Sequence, residues 1–141
     1  MKLTNIQLKA LIRAATLARK NAIAYRSHHS IGASALTAQG DIFTGCNIES
    51  PISGLGTCAE RCAIDHAVVH GSRHLLAVCI VDGGVTPPCG MCLQYMMLFS
   101  QIAGHDIVIV SSDVRGKHKI YSLKKLLPVG YKTAHNLKGL R

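Results

Sequence analysis

An α/β fold is predicted for this chain, and three observations predict it. A capped amphipathic helical pattern opens the sequence, and two further helical stretches alternate with short runs of strand formers. Leu75 to Val81 is apolar without alternation, as a central strand buried on both faces requires. Between Ile107–Ser111 and Lys117–Tyr121 lie only Ser112 to Gly116. A parallel crossover needs about a dozen residues, so these last two strands, if they pair, form an antiparallel hairpin.

The elements follow in order. Thr4 and Gln7 make a capping box, and Ile6, Leu8, Leu11, Ile12, Ala15 and Ala18 recur at helical spacing, giving a helix over residues 5–22. Ile31 to Leu36 and Ile42 to Cys46 read as strands joined by a turn at Gln39-Gly40-Asp41. Residues 47–56, rich in Gly, Ser and Pro, are a loop. Cys58 to His70 is a second helix, ended by Gly71. After the Leu75–Val81 strand and a loop over 82–88, Cys89 to about Ile102 is a third helix, ended by Gly104. Ile107–Ser111 and Lys117–Tyr121 complete five strands. A short basic helix, Leu123–Leu127, stops at Pro128, and a basic tail follows over about 132–141. No repeat, low-complexity segment or domain boundary interrupts the chain, so residues 1–141 are expected to form one domain.

Composition narrows the classes. The 141 residues are 48% hydrophobic, enough for a core, and with two Phe, four Tyr and no Trp that core is aliphatic. Positive mean hydropathy in so short a chain points to apolar surface covered by other subunits. No window is apolar enough for a membrane span, and the N-terminus lacks the apolar core of a secretion signal. Six cysteines without such a signal indicate a reducing, cytoplasmic setting, where metal binding outcompetes disulfides. Of the 16 basic residues, six lie between Lys2 and Arg26 and eight between Arg115 and Arg141, while all seven acids lie between. The formal charge of +9 fits a solvated basic periphery, with RNA or another polyanion as the alternative occupant.

The chemistry concentrates between Thr57 and Cys92. The sequence T-C-A-E-R-C-A-I-D-H-A is followed, past the apolar strand, by P-P-C-G-M-C-L-Q. Cys58, Cys89 and Cys92 are thiols at zinc-site spacing, and three protein ligands leave a fourth tetrahedral position for water. Cys58 and Glu60 stand about 200° apart around a helix. Both reach one metal only if it lies off the helix N-terminus. Cys89 and Cys92 share one turn at another helix start, so two N-termini converge on the metal and offset its surplus thiolate charge. Glu60 is then free to take the proton of the metal-activated water and pass it on to a substrate with an amidine-like carbon. Two other readings use parts of this pattern. A structural zinc would recruit His66 or His70 as fourth ligand but has no use for Glu60, and a redox Cys-x-x-C at Cys89 and Cys92 leaves Cys58 unexplained. Cys46, Cys62 and Cys79 read as small core residues.

C-A-E-R followed some thirty residues later by P-C-G-x-C resembles the cytidine deaminase superfamily, and within it the small nucleoside deaminases, over about Ala24 to Pro128. I-F-T-G-C-N-I-E, residues 42–49, is similar to that family's strand and substrate loop. The resemblance implies a three-layer α/β/α fold with a mixed sheet, one zinc per subunit, and a homotetramer acting on a small-molecule nucleoside. It implies hydrolytic deamination of cytidine or deoxycytidine, with zinc-bound hydroxide as nucleophile and Glu60 as proton shuttle. Asn47 and Glu49 match the positions that hold the ribose hydroxyl, the Ala59 backbone a contact to the pyrimidine carbonyl, and Arg61 a donor to the zinc thiolates. Tyr131, after L-L-P, matches an aromatic that neighbouring subunits use near the substrate.

Two positions depart from the family's pattern. His29 stands where Phe commonly stacks on the base, and Ser53 where Tyr precedes Gly-Leu, with Pro51 and Ile52 beside it. L-L-P-V-G-Y is also similar to blasticidin S deaminases, so deamination of a modified cytosine nucleoside is the alternative. An RNA-directed relative rests only on the basic ends. The hairpin and Cys58 as first ligand set the chain apart from the tRNA-adenosine and polynucleotide-cytosine editing branches.

Overall fold

The computed structural model describes residues 2–140. Asn5–Ala18 forms α1, with both bonds of the Thr4/Gln7 capping box in place. The helix stops four residues short of the expected 22. Arg19–Asn21 tightens into a 3₁₀ turn, and Arg19 leaves the helical direction to donate from Nε to the Ser30 carbonyl at 2.8 Å.

Five strands make one mixed sheet: β1 Gly32–Thr37, β2 Ile42–Cys46, β3 Leu75–Asp82, β4 Val108–Asp113 and β5 His118–Ser122, in the order β2-β1-β3-β4-β5. Only β3 and β4 run parallel, and the 14-residue helix α3, Gly90–Ala103, makes their crossover. The expected hairpin is present, with β4 and β5 antiparallel and Val110 opposite Ile120. Asp113 builds its turn by accepting the amides of Arg115 and Lys117 at 2.8 and 2.9 Å. The apolar run at 75–81 is indeed the central strand, almost wholly buried.

Helices cover the two faces unequally. α2, Ala59–Val69, and α3 pack on one face around Ile64, Val78, Met96 and Ile109. α1 alone packs on the other, over Leu36, Cys79, Val81 and Val110. Gly45 lets α2 sit tight on β2, since a Cβ there would collide with the backbone of Ala59 and Ala63. That close approach fixes the height of the α2 N-terminus above the sheet.

After the short α4, Leu123–Leu126, the chain does not trail off as the expected basic tail. Gln94 and Gln101, two turns apart on α3, each clamp one extended residue through a paired amide. Gln94 bonds the N–H and C=O of Tyr131 at 2.9 and 2.8 Å, and Gln101 those of Thr133 at 3.1 Å each. Leu137 then packs on the α2–α3 core, and Lys138–Leu140 forms a 3₁₀ turn. Hydrophobic periodicity carries no trace of such backbone-directed bonds.

Candidate metal and substrate site

Cys58 is the N-cap of α2 and Cys89 the N-cap of α3, both in extended backbone and neither using its side chain as a cap. Cys92 follows at the third position of α3. N-cap and N3 side chains meet on one side of a helix end, the geometry a capping box uses, so two sulfurs of α3 converge on that of α2. The three Sγ atoms lie within 4.8 Å of one another, in the only such group of three or more ligating side chains among the described residues. His66 and His70 are exposed farther along α2, where Nδ1 of His66 faces the Thr44 carbonyl at 3.0 Å. They do not join the cysteines, which removes the fourth ligand of a purely structural site.

The thiols perturb one another. Hydrogen bonding from Cys92, then from Cys89, with the Arg61 charge adding to it, pulls the Cys58 thiol down to about 6 against its burial. Cys92 is driven the other way, by its bond to Cys58 and by burial. Three thiols this close cannot all ionise alone, and a divalent cation is the partner that lets them. The donor set of soft sulfurs at two helix N-termini fits Zn²⁺. Burial raises Cys46, Cys62 and Cys79, the last to about 12, as befits small packed residues.

Glu60 is the second residue of α2 and is buried, with burial foremost and the Cys58 charge behind it raising its carboxyl above the usual range. It lines a cavity of about 790 Å³ together with Cys58, Cys89, Asn47, Glu49 and His29. Arg61 also lines this cavity; its Nη2 donates to the Gly56 carbonyl at 3.1 Å, and its buried Nε has no partner among the described residues. Ala59 is fully buried between its two functional neighbours, and its side chain does not line the cavity.

The opposite wall is held by long-range hydrogen bonds. The Asn47 amide donates to the His29 carbonyl at 2.9 Å and accepts the Ile31 amide at 2.8 Å. Glu49 accepts the amides of Arg26 at 2.7 Å and Ser27 at 3.2 Å. Hydrogen bonding from Ser27 first, then from Arg26, holds its carboxyl below the usual range. His28 takes a left-handed turn, φ 55°, which carries the chain round to His29.

His29 is brought to the cavity, its side chain 56% exposed, with Nε2 at 3.6 Å from Asp82 Oδ2, an imidazole–carboxylate contact longer than a hydrogen bond. Asp82 is the residue the sequence reading missed. It ends β3, accepts the Gly84 amide through Oδ1, and lies buried in the cavity wall. The available signal was a lone acid closing an otherwise apolar strand, directly before Gly-Gly. Ser53 and Ile52 line the same cavity, as does Met91. Tyr131 is not brought there: it is exposed, on the outer side of α3 beside Gln94.

Comparison with known proteins follows this geometry closely. Residues 5–109 match the family described as the cytidine and deoxycytidylate deaminase zinc-binding region. A probable cytidine deaminase of Dictyostelium discoideum is 37% identical over 126 residues, 86% of this chain and 82% of the relative. A blasticidin-S deaminase of Bacillus cereus is 28% identical over 142 residues, 93% of this chain and 98% of the relative. The crystal structure of a cytidine deaminase from Burkholderia pseudomallei superposes with a TM-score of 0.81 at 34% identity, over 92% of this chain and all of that one. Sequence, fold and the three-sulfur cluster thus agree, and the chain belongs to the cytidine and deoxycytidylate deaminase family.

Proposed function

We propose that this protein hydrolytically deaminates cytidine or deoxycytidine to the corresponding uridine. The observation that carries the reading is the convergence of Cys58, Cys89 and Cys92 on one point of a cavity whose wall also holds the buried Glu60. Cys58, Cys89 and Cys92 would hold one Zn²⁺ per subunit, and the bound ion supplies Lewis-acid activation of a water. The cavity volume suits a nucleoside.

Glu60 is the proton carrier. Its burial raises its affinity for a proton, so the carboxylate takes one proton from the attacking water and passes it to the ring nitrogen, then takes the second from the added hydroxyl and passes it to the departing amine. Arg61, the next residue of α2, balances the thiolate charge. Asn47 and Glu49 offer an amide and a carboxylate to a sugar hydroxyl, and the Ala59 backbone faces the pyrimidine carbonyl. His29, backed by Asp82, contributes a polar wall. Exposed Tyr131 reaches a neighbour's cavity in a homotetramer. A single domain acting in cytoplasmic pyrimidine salvage completes the reading.

The polar wall at His29 and Ser53 favours one second reading, a modified cytosine nucleoside such as blasticidin S. Following the loss of ultraviolet absorbance on cytidine, deoxycytidine and blasticidin S in parallel distinguishes the two. Turnover of cytidine or deoxycytidine is the expected result. Turnover of blasticidin S alone would replace the first reading with the second, and no turnover by zinc-replete protein would defeat both.

A further inference from the structure

The unequal cover of the sheet leaves a surface that the deaminase site does not use. A helix with its side chains is about 10 Å wide, while five strands spaced at about 4.8 Å span roughly twice that. Two helices cover one face. On the other, α1 packs mainly across β1, β2 and β3, meets β4 in the cluster around Val110 and leaves β5 uncovered.

The outer face of the β4–β5 hairpin therefore lies beside α1 as the floor of a groove. Two adjoining cavities of about 580 and 650 Å³ share Asn5 and Leu8 and run the length of this groove. Its floor and inner wall are apolar: Leu8 and Ile12 from α1, Val108 and Ile120 from the hairpin, Val114 from the turn. Ile120 lies opposite Val110 and so shares its face, yet remains 52% exposed because no helix reaches it.

The rim is cationic. Lys2, Lys9 and Arg13 rise from the α1 side, Arg115 and His118 from the hairpin. Among the described residues none of the five is ion-paired to a carboxylate. Of the two nearby acids, Asp106 lines the far end of the groove, where its carboxylate accepts from the Ser122 hydroxyl and the Lys124 amide, and Asp113 accepts the turn amides. Lys2, Lys9 and Arg13 of the basic N-terminal stretch and Arg115 of the C-terminal one thus meet on one groove.

We propose that this groove docks an acidic amphipathic helix of a partner protein, which lies beside α1 and completes the layer. An apolar stripe fills the floor, and flanking carboxylates meet the rim. A second copy of this chain packed through the same groove would set this cationic rim against itself. A nucleic-acid strand would satisfy the cations but leave the aliphatic floor unused.

The probe is a synthetic helix of about 16 residues with Leu at i, i+3, i+4 and i+7 and Glu elsewhere, titrated against the zinc-loaded protein by fluorescence anisotropy. A scrambled peptide of the same composition and a single-stranded RNA oligomer are run beside it. The expected result is binding about tenfold tighter than the scrambled peptide. It should weaken at least tenfold in Arg13→Glu/Arg115→Glu and in Ile120→Glu, with melting temperature and deaminase turnover unchanged. Equal binding of both peptides, or binding that survives the substitutions, overturns the proposal. Tighter binding of RNA overturns it in favour of a polyanion groove, and self-association abolished by Ile120→Glu overturns it in favour of a second copy.

Discussion

The two ends of the cavity are built differently. At the metal end, three sulfurs and Glu60 stand on the first turns of two helices, so residues two or three apart in sequence settle each side chain. At the sugar end, nothing local holds the wall. Asn47, Glu49 and Asp82 each reach across to the 26–31 segment, by two hydrogen-bonded clamps and one imidazole–carboxylate contact. One end is rigid because secondary structure makes it so, and the other is only as firm as a few side-chain contacts. Substitutions should therefore act on chemistry at the first and on affinity at the second.

The largest effect is expected from Cys89→Ala. Losing one of three sulfurs should empty the site, with zinc content by elemental analysis falling to background and turnover dropping by at least about 10⁴. Retention of stoichiometric zinc would show that the cysteines are not the holders. Next comes Glu60→Gln, which keeps shape and packing but cannot carry a proton. Here zinc should stay bound while kcat falls by about 10² to 10⁴, the range of one general acid–base group. Zinc lost together with activity would make Glu60 a ligand rather than a proton carrier.

At the sugar end, Asn47→Ala should raise KM about tenfold with kcat changed far less, and cost about 1–3 kcal/mol of stability in urea unfolding, because two backbone groups lose their partner. Equal losses in kcat and kcat/KM would mean that both ends move as one body. Asp82→Asn should be milder, a rise in KM of a few-fold, since Gly84 keeps its acceptor and only the contact to His29 weakens. In a His29→Phe background the same substitution should do nothing; a persisting effect would place the influence of Asp82 on the loop to Cys89 instead.

The smallest effect concerns pH. The Glu49 carboxyl is depressed in the fold, so its bonds to residues 26 and 27 contribute fully above the unfolded value and are lost as pH falls through the folded one. The Arg26 and Ser27 amide resonances should thus hold steady through neutrality and shift only below the ordinary carboxylate range. A shift centred at or above that range would contradict the clamp.

The same contrast explains what the sequence could disclose. The sheet, its hairpin and both helix starts are legible because they follow from periodicity, capping and the shortness of one connection. The cysteines and Glu60 are legible because spacing along a helix is also spacing in space. Asp82 was not, since its partner lies 53 positions away in the chain and only the β1–β3 pairing brings their neighbourhoods together. The partial resemblance that pointed to His29 could name the position but not its carboxylate. The docked C-terminal segment was missed for a related reason: Gln94 and Gln101 recognise backbone, and backbone has no letter in a sequence.

That last device has a consequence for how the chain can vary. Because the two amides read only peptide groups, they leave the identity of residue 131 almost free to drift, with proline forbidden for want of an N–H, whereas Thr133 also accepts the His135 amide through its hydroxyl. The two glutamines enjoy no such latitude. Whatever side chain stands at 131 is delivered to the same spot, so evolution can exchange the tool there without rebuilding its handle.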